Sequence, residues 1–492
     1  MLSALRSRYD KTFDASIGRL WIARLWNRFD RDALSTRPML VRTDVLIALC
    51  FAVVGSAVSV WAFSQTNRVP ELHTMFNLWI HADSARVAEN IVTTGGDHGR
   101  TSVHPLFSIL TYPFGALLTA LGLAPLTAAK TLVVIVMGAT TAMFSLTTRL
   151  VGLPRFVSAA FTLLFTATAS FLYWSGVVET FPFSCFAVVT SLFMMLRVNT
   201  PHWGWWVLVN VLTIGVLITN WVIALVAMAV RLKLKPFIAI AVSSFALVIV
   251  LAVIQNLCFE KAALFFNPHT LTREAAYFQT NMAAEGTYEQ GWQPAANLRS
   301  MYVTTVVAMP VEVQQQTHMR LATTNQNTAF PEGEVIPVIA VISWVVLFGM
   351  GVWGAILRSS LRLPVIGAAL MLTAQTILHL IYGEVTFLYS LSFMPLIILF
   401  ASMSWFAPYR YVGLGLVVLV IAFGGTNNVR RLQETVSIGD CLSDIDFVRQ
   451  GQTWDLIRDA KPPEASDYQT LDFDTENLCQ PGSTPDEAGV QP

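Results

Sequence analysis

Asp83, Glu179 and Glu384 are acids in polar connections between long apolar runs, and they are the side chains here with most chemistry to offer. A carboxylate so near lipid is costly unless it is paired, solvated or functional. Asp83 lies in Trp79-Ile80-His81-Ala82-Asp83-Ser84-Ala85-Arg86-Val87-Ala88-Glu89-Asn90-Ile91. Apolar residues at 76, 79, 80, 87 and 91 have helical spacing, which predicts a helix on the membrane surface with Asp83, Arg86 and Asn90 on one side. A carboxylate and a guanidinium would then face one cleft. The plain alternative is an exposed ion pair worth under about 1 kcal/mol. The stretch continues through Asp97-His98-Gly99-Arg100-Thr101-Ser102-Val103-His104-Pro105, polar up to an apolar segment broken by Pro105, Pro113 and Gly115.

Glu179 is the one acid between Asp97 and Glu260, in Trp174-Ser175-Gly176-Val177-Val178-Glu179-Thr180-Phe181-Pro182. It also suits a helix start, where the dipole favours acids. Glu384 is the one acid between Glu334 and Glu434, flanked by His379, Tyr382 and Tyr389. Interfacial tyrosines are commonplace, so the acid among them carries the signal.

The elements that must position these residues are membrane helices. Hydrophobic residues make up 54% of the chain and charged residues 13%, about half the usual charged share of a soluble domain. Mean hydropathy is +0.57. The fold class expected is an all-α integral membrane protein of about eleven transmembrane helices, near 44–63, 128–148, 156–173, 183–197, 203–219, 221–232, 236–258, 335–357, 363–381, 386–403 and 409–424. Surface helices occupy the first outer loop. Arg149, Arg155, Arg197, Arg231, Lys233, Lys235, Arg358, Arg362 and Arg410 fall on one side if 103–124 lies along the membrane, so the N-terminus is expected in the cytoplasm.

The divisions that follow are a basic N-terminal segment 1–43, a membrane module 44–258 with its first outer loop at 64–127, a large outer loop 259–333, C-terminal spans 334–424 and an acidic outer tail 425–492. Within the first of these, Ile17, Leu20, Trp21, Leu25 and Phe29 suggest a further surface helix. The loop 259–333 carries Trp292 with Tyr277, Tyr288 and Tyr302 among amides, a composition suited to a sugar or peptide acceptor. Cys441 and Cys479 would pair in an oxidising compartment. Zero formal net charge gives no support to a nucleic-acid partner, and no nucleotide fingerprint or metal-spaced cluster is present.

In order and placement, the first span, Asp83, His104-Pro105-Leu106, a span ending in Arg149, and then Glu179 resemble the GT-C superfamily of integral membrane glycosyltransferases. The likeness covers roughly residues 40 to 230, with the turn from Tyr382 to Tyr389 adding weaker support. It implies a polyprenyl-phosphate-linked sugar as donor and a glycan, lipid or protein as acceptor, on the outer face of a bacterial inner membrane. Asp83 and Glu179 would be catalytic, with Asp83 taking the acceptor proton in an inverting transfer. Arg86, Arg100 and His104 would face the donor phosphate, and Tyr382, Glu384, Tyr389 and Trp292 would position donor or acceptor. The protein mannosyltransferase and aminoarabinose transferase branches carry two adjacent acids in the first loop. Here Ser84 follows Asp83, which leaves a single general base and an open question over a divalent metal. Two other classes compete: a lipid-linked glycan flippase or other transporter, which predicts polar residues deep in several spans, and a noncatalytic assembly factor, which predicts that Asp83 and Glu179 are dispensable.

Overall fold

The computed structural model describes residues 40–73, 78–197, 202–275, 277–278, 293–316, 320–329, 333–358, 362–383, 385–444 and 479. The surface helix expected in 17–29, Trp292, Glu384 and nearly all of the tail beyond 444 lie outside them. Among the described residues seven helices are long and apolar enough to cross a membrane: Arg42–Thr66, Pro125–Val151, Leu234–Cys258, Val335–Leu357, Arg362–Ile381, Thr386–Phe406 and Arg410–Ser443. Five shorter apolar helices are Phe107–Ala120, Arg155–Ala167, Phe181–Leu196, Trp203–Val216 and Ile218–Arg231. Four of the five coincide with runs read as spans. At 1.5 Å per residue the longest reaches about 24 Å, short of a hydrocarbon core of about 30 Å. The helical membrane architecture is therefore present, and the seven long helices coincide with seven of the eleven runs read as spans.

The bundle is built on the pair Arg42–Thr66 and Pro125–Val151, which approach closely because small residues meet between them. A Cβ on Gly138 would stand 2.3 Å from Ser56 Oγ, and one on Gly55 would stand 2.3 Å from Thr141 Oγ1. In lipid such close packing replaces the hydrophobic effect as the cause of helix association. Both ends of this antiparallel pair are closed by polar contacts. At one end Asp44 Oδ1 accepts from Arg149 Nε at 3.0 Å and Arg155 Nε at 2.9 Å; at the other Lys130 Nζ donates to Asn67 at 2.6 Å.

The run read as one span at 156–173 is broken. Thr168 leaves helical geometry, and its hydroxyl accepts from Phe171 N to start a second helix, Ala169–Trp174. The freed amides of Ala169 and Ser170 donate to the carbonyls of Val306 and Thr305. A break within an apolar run is tolerated only with such replacement partners. Threonine at this position offers the backbone a cap that a hydropathy pattern does not register.

Thr386–Phe406 is the most enclosed span, with 89% of its apolar window buried, and forms the centre of the bundle. One chain of polar residues links the helices: Gln375 donates to Asn220 at 2.8 Å, Asn220 to Ser184 at 2.6 Å, and Ser184 pairs with Ser392 at 2.7 Å. Outside the apolar helices, Glu312–Gln316 and Arg320–Thr324 form an antiparallel hairpin with Glu312 opposite Thr324. Residues 425–444, read as the start of the tail, continue the last span as a helix. Its Cys441 is disulfide-bonded to Cys479.

Replacing Gly138 with leucine forces bulk into the tightest contact of the founding pair, so stability should fall by about 1–3 kcal/mol or more. Gly349, with nothing within 4 Å of an added Cβ, should accept leucine freely. Thermal unfolding in detergent separates the two, and a Gly138→Leu protein as stable as Gly349→Leu would contradict this packing.

Candidate active site

Beyond Thr66 the chain turns back over the end of the bundle opposite Asp44. Ile80 and His81 have positive φ values of 45° and 60°, a conformation disfavoured for an isoleucine and held here by neighbours. Ile80 N donates to Thr323 Oγ1 at 2.7 Å, and that hydroxyl donates to Leu78 O at 3.0 Å. The Trp79 indole donates to Tyr173 O at 3.2 Å. The surface helix consequently begins at Ser84, later than periodicity predicts, and runs to Val92 with Asp83 as its N-cap. Gly115 admits this helix to the apolar helix Phe107–Ala120: a Cβ there would sit 2.0 Å from Ile91 O.

Two oppositely charged residues one turn apart meet as expected, with Arg86 donating to Asp83 Oδ2 at 2.5 Å. Arg86 is buried, and the Asp83 side chain is 27% exposed. Arg100 approaches the same oxygen at 3.9 Å. No hydrogen bond reaches Asp83 Oδ1 from the described residues, so this oxygen is available to an incoming hydroxyl. Burial raises the Asp83 pKa, but Arg86 and Arg100 outweigh it and hold the carboxyl below the usual range. The group is ionised at neutral pH.

Glu179 comes to the same place by a different route. Its segment leans on the first span, where Ser59 donates to Ser175 O at 2.7 Å and Thr66 to Gly176 O at 2.6 Å. Trp174 donates to Phe387 O at 3.1 Å, and Phe181 packs edge-on against Tyr389 at 5.4 Å. From this fixed segment Glu179 Oε1 accepts the amide of Asp83 at 3.2 Å, while Oε2 accepts the amide of Thr180. Both oxygens are committed to backbone and the residue is 4% exposed, so Glu179 orients Asp83. Burial, and then the charge of Asp83, push its pKa upward, against the smaller pull of Arg86.

The structure adds Glu274, an acid in the large loop 259–333 that the aromatic pattern of that loop had overshadowed. Its Oε1 accepts from Ser102 at 2.8 Å, its Oε2 accepts from the Tyr382 hydroxyl at 2.8 Å, and Arg100 stands 3.8 Å away. Arg100 also lies over the Tyr277 ring at 5.1 Å. The guanidinium sits between two carboxylates at distances longer than direct hydrogen bonds, with Nε unpartnered among the described residues. Burial lowers its pKa, but Asp83, Tyr277 and Glu274 together raise it further, which fixes its charge.

His104 belongs to the same electrostatic group, in a turn docked by Leu106 N on Gly215 O at 2.8 Å and by Gln255 on Pro105 O at 2.9 Å. Its Nδ1 bonds Val216 O at 2.8 Å, which puts the proton on that nitrogen. Burial and then Arg86 depress its pKa to about 3, so it is neutral at pH 7 and offers a lone pair at Nε2. Positive charge for an anion therefore comes from Arg86 and Arg100. Tyr389 is stacked on His379 at 4.9 Å and lies 6.5 Å from the Tyr382 ring. Among the described residues no three His, Cys, Asp or Glu side chains are grouped to hold a metal.

Glu179→Gln tests the orienting contact. A raised carboxyl pKa means stability that is complete below the ordinary value near 4.5 and is lost as pH rises through the folded value. Glutamine loses one acceptor and strands an amide at all pH values, a cost of about 1–3 kcal/mol. The stability advantage of wild type over Glu179→Gln should therefore shrink as pH rises above 4.5. An advantage that widens with pH would contradict the assignment.

Compared with known proteins, the chain matches no family model and no curated protein.

Proposed function

We propose that the chain is a glycosyltransferase that moves a sugar from a polyprenyl-phosphate carrier to an acceptor hydroxyl at the outer face of a bacterial cell membrane. The N-terminus is cytoplasmic in this reading, and four of the shorter apolar helices, with their flanking residues, complete about eleven crossings while Phe107–Ala120 lies along the membrane. The observation that carries it is an ionised carboxylate with one open oxygen, Asp83 Oδ1, beside two permanently charged guanidiniums at one end of a membrane bundle. That combination suits removal of a proton from a hydroxyl next to a phosphate leaving group.

In this mechanism the acceptor hydroxyl donates its proton to Asp83 Oδ1 as its oxygen bonds to the anomeric carbon. The bond from that carbon to the carrier phosphate breaks on the opposite face, so the configuration inverts. The electron pair stays on the phosphate oxygen, and Arg100 meets the developing charge, with Arg86 holding Asp83. Arg100 suits this task because its distances to Asp83 and Glu274 leave N–H groups uncommitted. The apolar helix Phe107–Ala120 supports a lipid carrier at the same end, with Phe114, Leu117 and the following Leu121 each more than half exposed. Tyr382 and Glu274 border the acceptor side.

Asp83→Asn keeps the size of the side chain and removes its basicity. Turnover with a radiolabelled polyprenyl-phosphate sugar should drop about 100-fold or more while donor binding, measured separately, is retained. Transfer at the wild-type rate would place the base elsewhere and leave the transport and assembly readings in possession.

A further inference from the structure

The end of the bundle opposite the candidate active site is rich in arginine, and four of its arginines lie near Asp44 or around one cavity. Arg149 and Arg155 share Asp44, whereas Arg358 and Arg410 have no carboxylate partner among the described residues. Both guanidiniums lie over aromatic rings: Arg358 over Phe406 at 4.4 Å, and Arg410 over Trp405 at 5.1 Å and Tyr411 at 5.0 Å, with one Arg410 N–H group donated to the Tyr411 hydroxyl at 3.4 Å and the others left for an occupant. They line one open cavity of about 800 Å³, together with Gly152 and Tyr409. Phe156 packs edge-on against Trp405 at 5.6 Å, so the cavity wall is tied to the helix that begins at Arg155.

A ring face holds a guanidinium through its plane and leaves the in-plane N–H groups pointing outward. Two such forks at the rim of one cavity form a receptor for an anion with several oxygens. The helices flanking the cavity present large apolar groups to their surroundings: Trp353 is 44% exposed, Ile356 76% and Val412 56%. An occupant therefore meets charge at one end and bare hydrocarbon along the other. A free anion satisfies only the first of these, and an anionic phospholipid satisfies both.

We propose that this cavity is a binding site for the head group of an anionic phospholipid of the surrounding leaflet, held by Arg358 and Arg410. It is separate from the site at Asp83 and does not depend on the activity proposed for that site. Binding there neutralises the charge of these two arginines and fastens the Val335–Leu357 and Arg410–Ser443 helices to the membrane at one depth.

The test uses the purified full chain with a photoreactive phosphatidylglycerol whose probe is on the head group. Cross-links should map to 403–412 or to the end of the helix at 353–358. Unlabelled phosphatidylglycerol should compete, while phosphatidylcholine and inorganic phosphate at equal concentration should not. The double variant Arg358→Gln with Arg410→Gln should lose about 10-fold or more of the cross-link, and Arg358→Lys should keep part of it. Equal competition by phosphatidylcholine overturns the proposal, as does displacement by inorganic phosphate as effective as that by the lipid. A cross-link of wild-type strength in the double variant does so too. Competition on the wild-type protein decides the matter even if the double variant does not fold.

Discussion

The grip of the Glu179 carboxylate on the amide of Asp83 is the contact on which the site depends. It joins two segments almost a hundred residues apart, and it fixes the backbone from which Asp83 projects. Because both carboxylate oxygens accept backbone N–H groups, Glu179 has little left for a substrate. Its effect is transmitted: the segment from Trp174 to Phe181 is clamped by the first span on one side and by the Phe387 turn on the other. The burial that raises the Glu179 pKa is the same burial that makes its hydrogen bonds directional and costly to break. Asp83 remains partly exposed, paired through one oxygen and open at the other.

The two acids thus divide according to environment. Asp83 lies against Arg86 and Arg100 and stays ionised, whereas Glu179 faces Asp83 and the backbone and is driven toward its neutral form. Opposite shifts in neighbouring carboxyl groups are a common arrangement at working sites, although structural networks also produce them. Here the geometry adds weight, because the ionised member is the accessible one. Arg100 connects this pair to the large loop 259–333 through Glu274 and Tyr277, so movement of that loop would be felt at the Arg100 guanidinium.

Much of the architecture was legible because hydropathy and charge act over whole helices. Each apolar run read from the sequence contains a helix, and the meeting of Asp83 with Arg86 follows from one turn of helical spacing. Less was legible where a single side chain redirects the backbone. Thr168 splits a run that reads as continuous, and Thr323 holds Ile80 in a left-handed conformation that moves the helix start from the expected position to Ser84. Glu274 was hidden for another reason: it lies in a polar loop, and only the fold brings Ser102 and Tyr382 to it. The neutral state of His104 was equally invisible, since it arises from burial and from the carbonyl of Val216.

In the proposed sugar transfer from a polyprenyl-phosphate carrier, Glu179 acts through Asp83. A double-mutant cycle on turnover measures this directly, using Asp83→Asn, Glu179→Gln and their combination with a carrier-linked sugar that the wild type accepts. Residues acting as one unit are strongly non-additive, so the combination should be scarcely slower than Asp83→Asn alone. Losses that multiply in the combined variant would show that the two acids contribute independently, and would contradict the account.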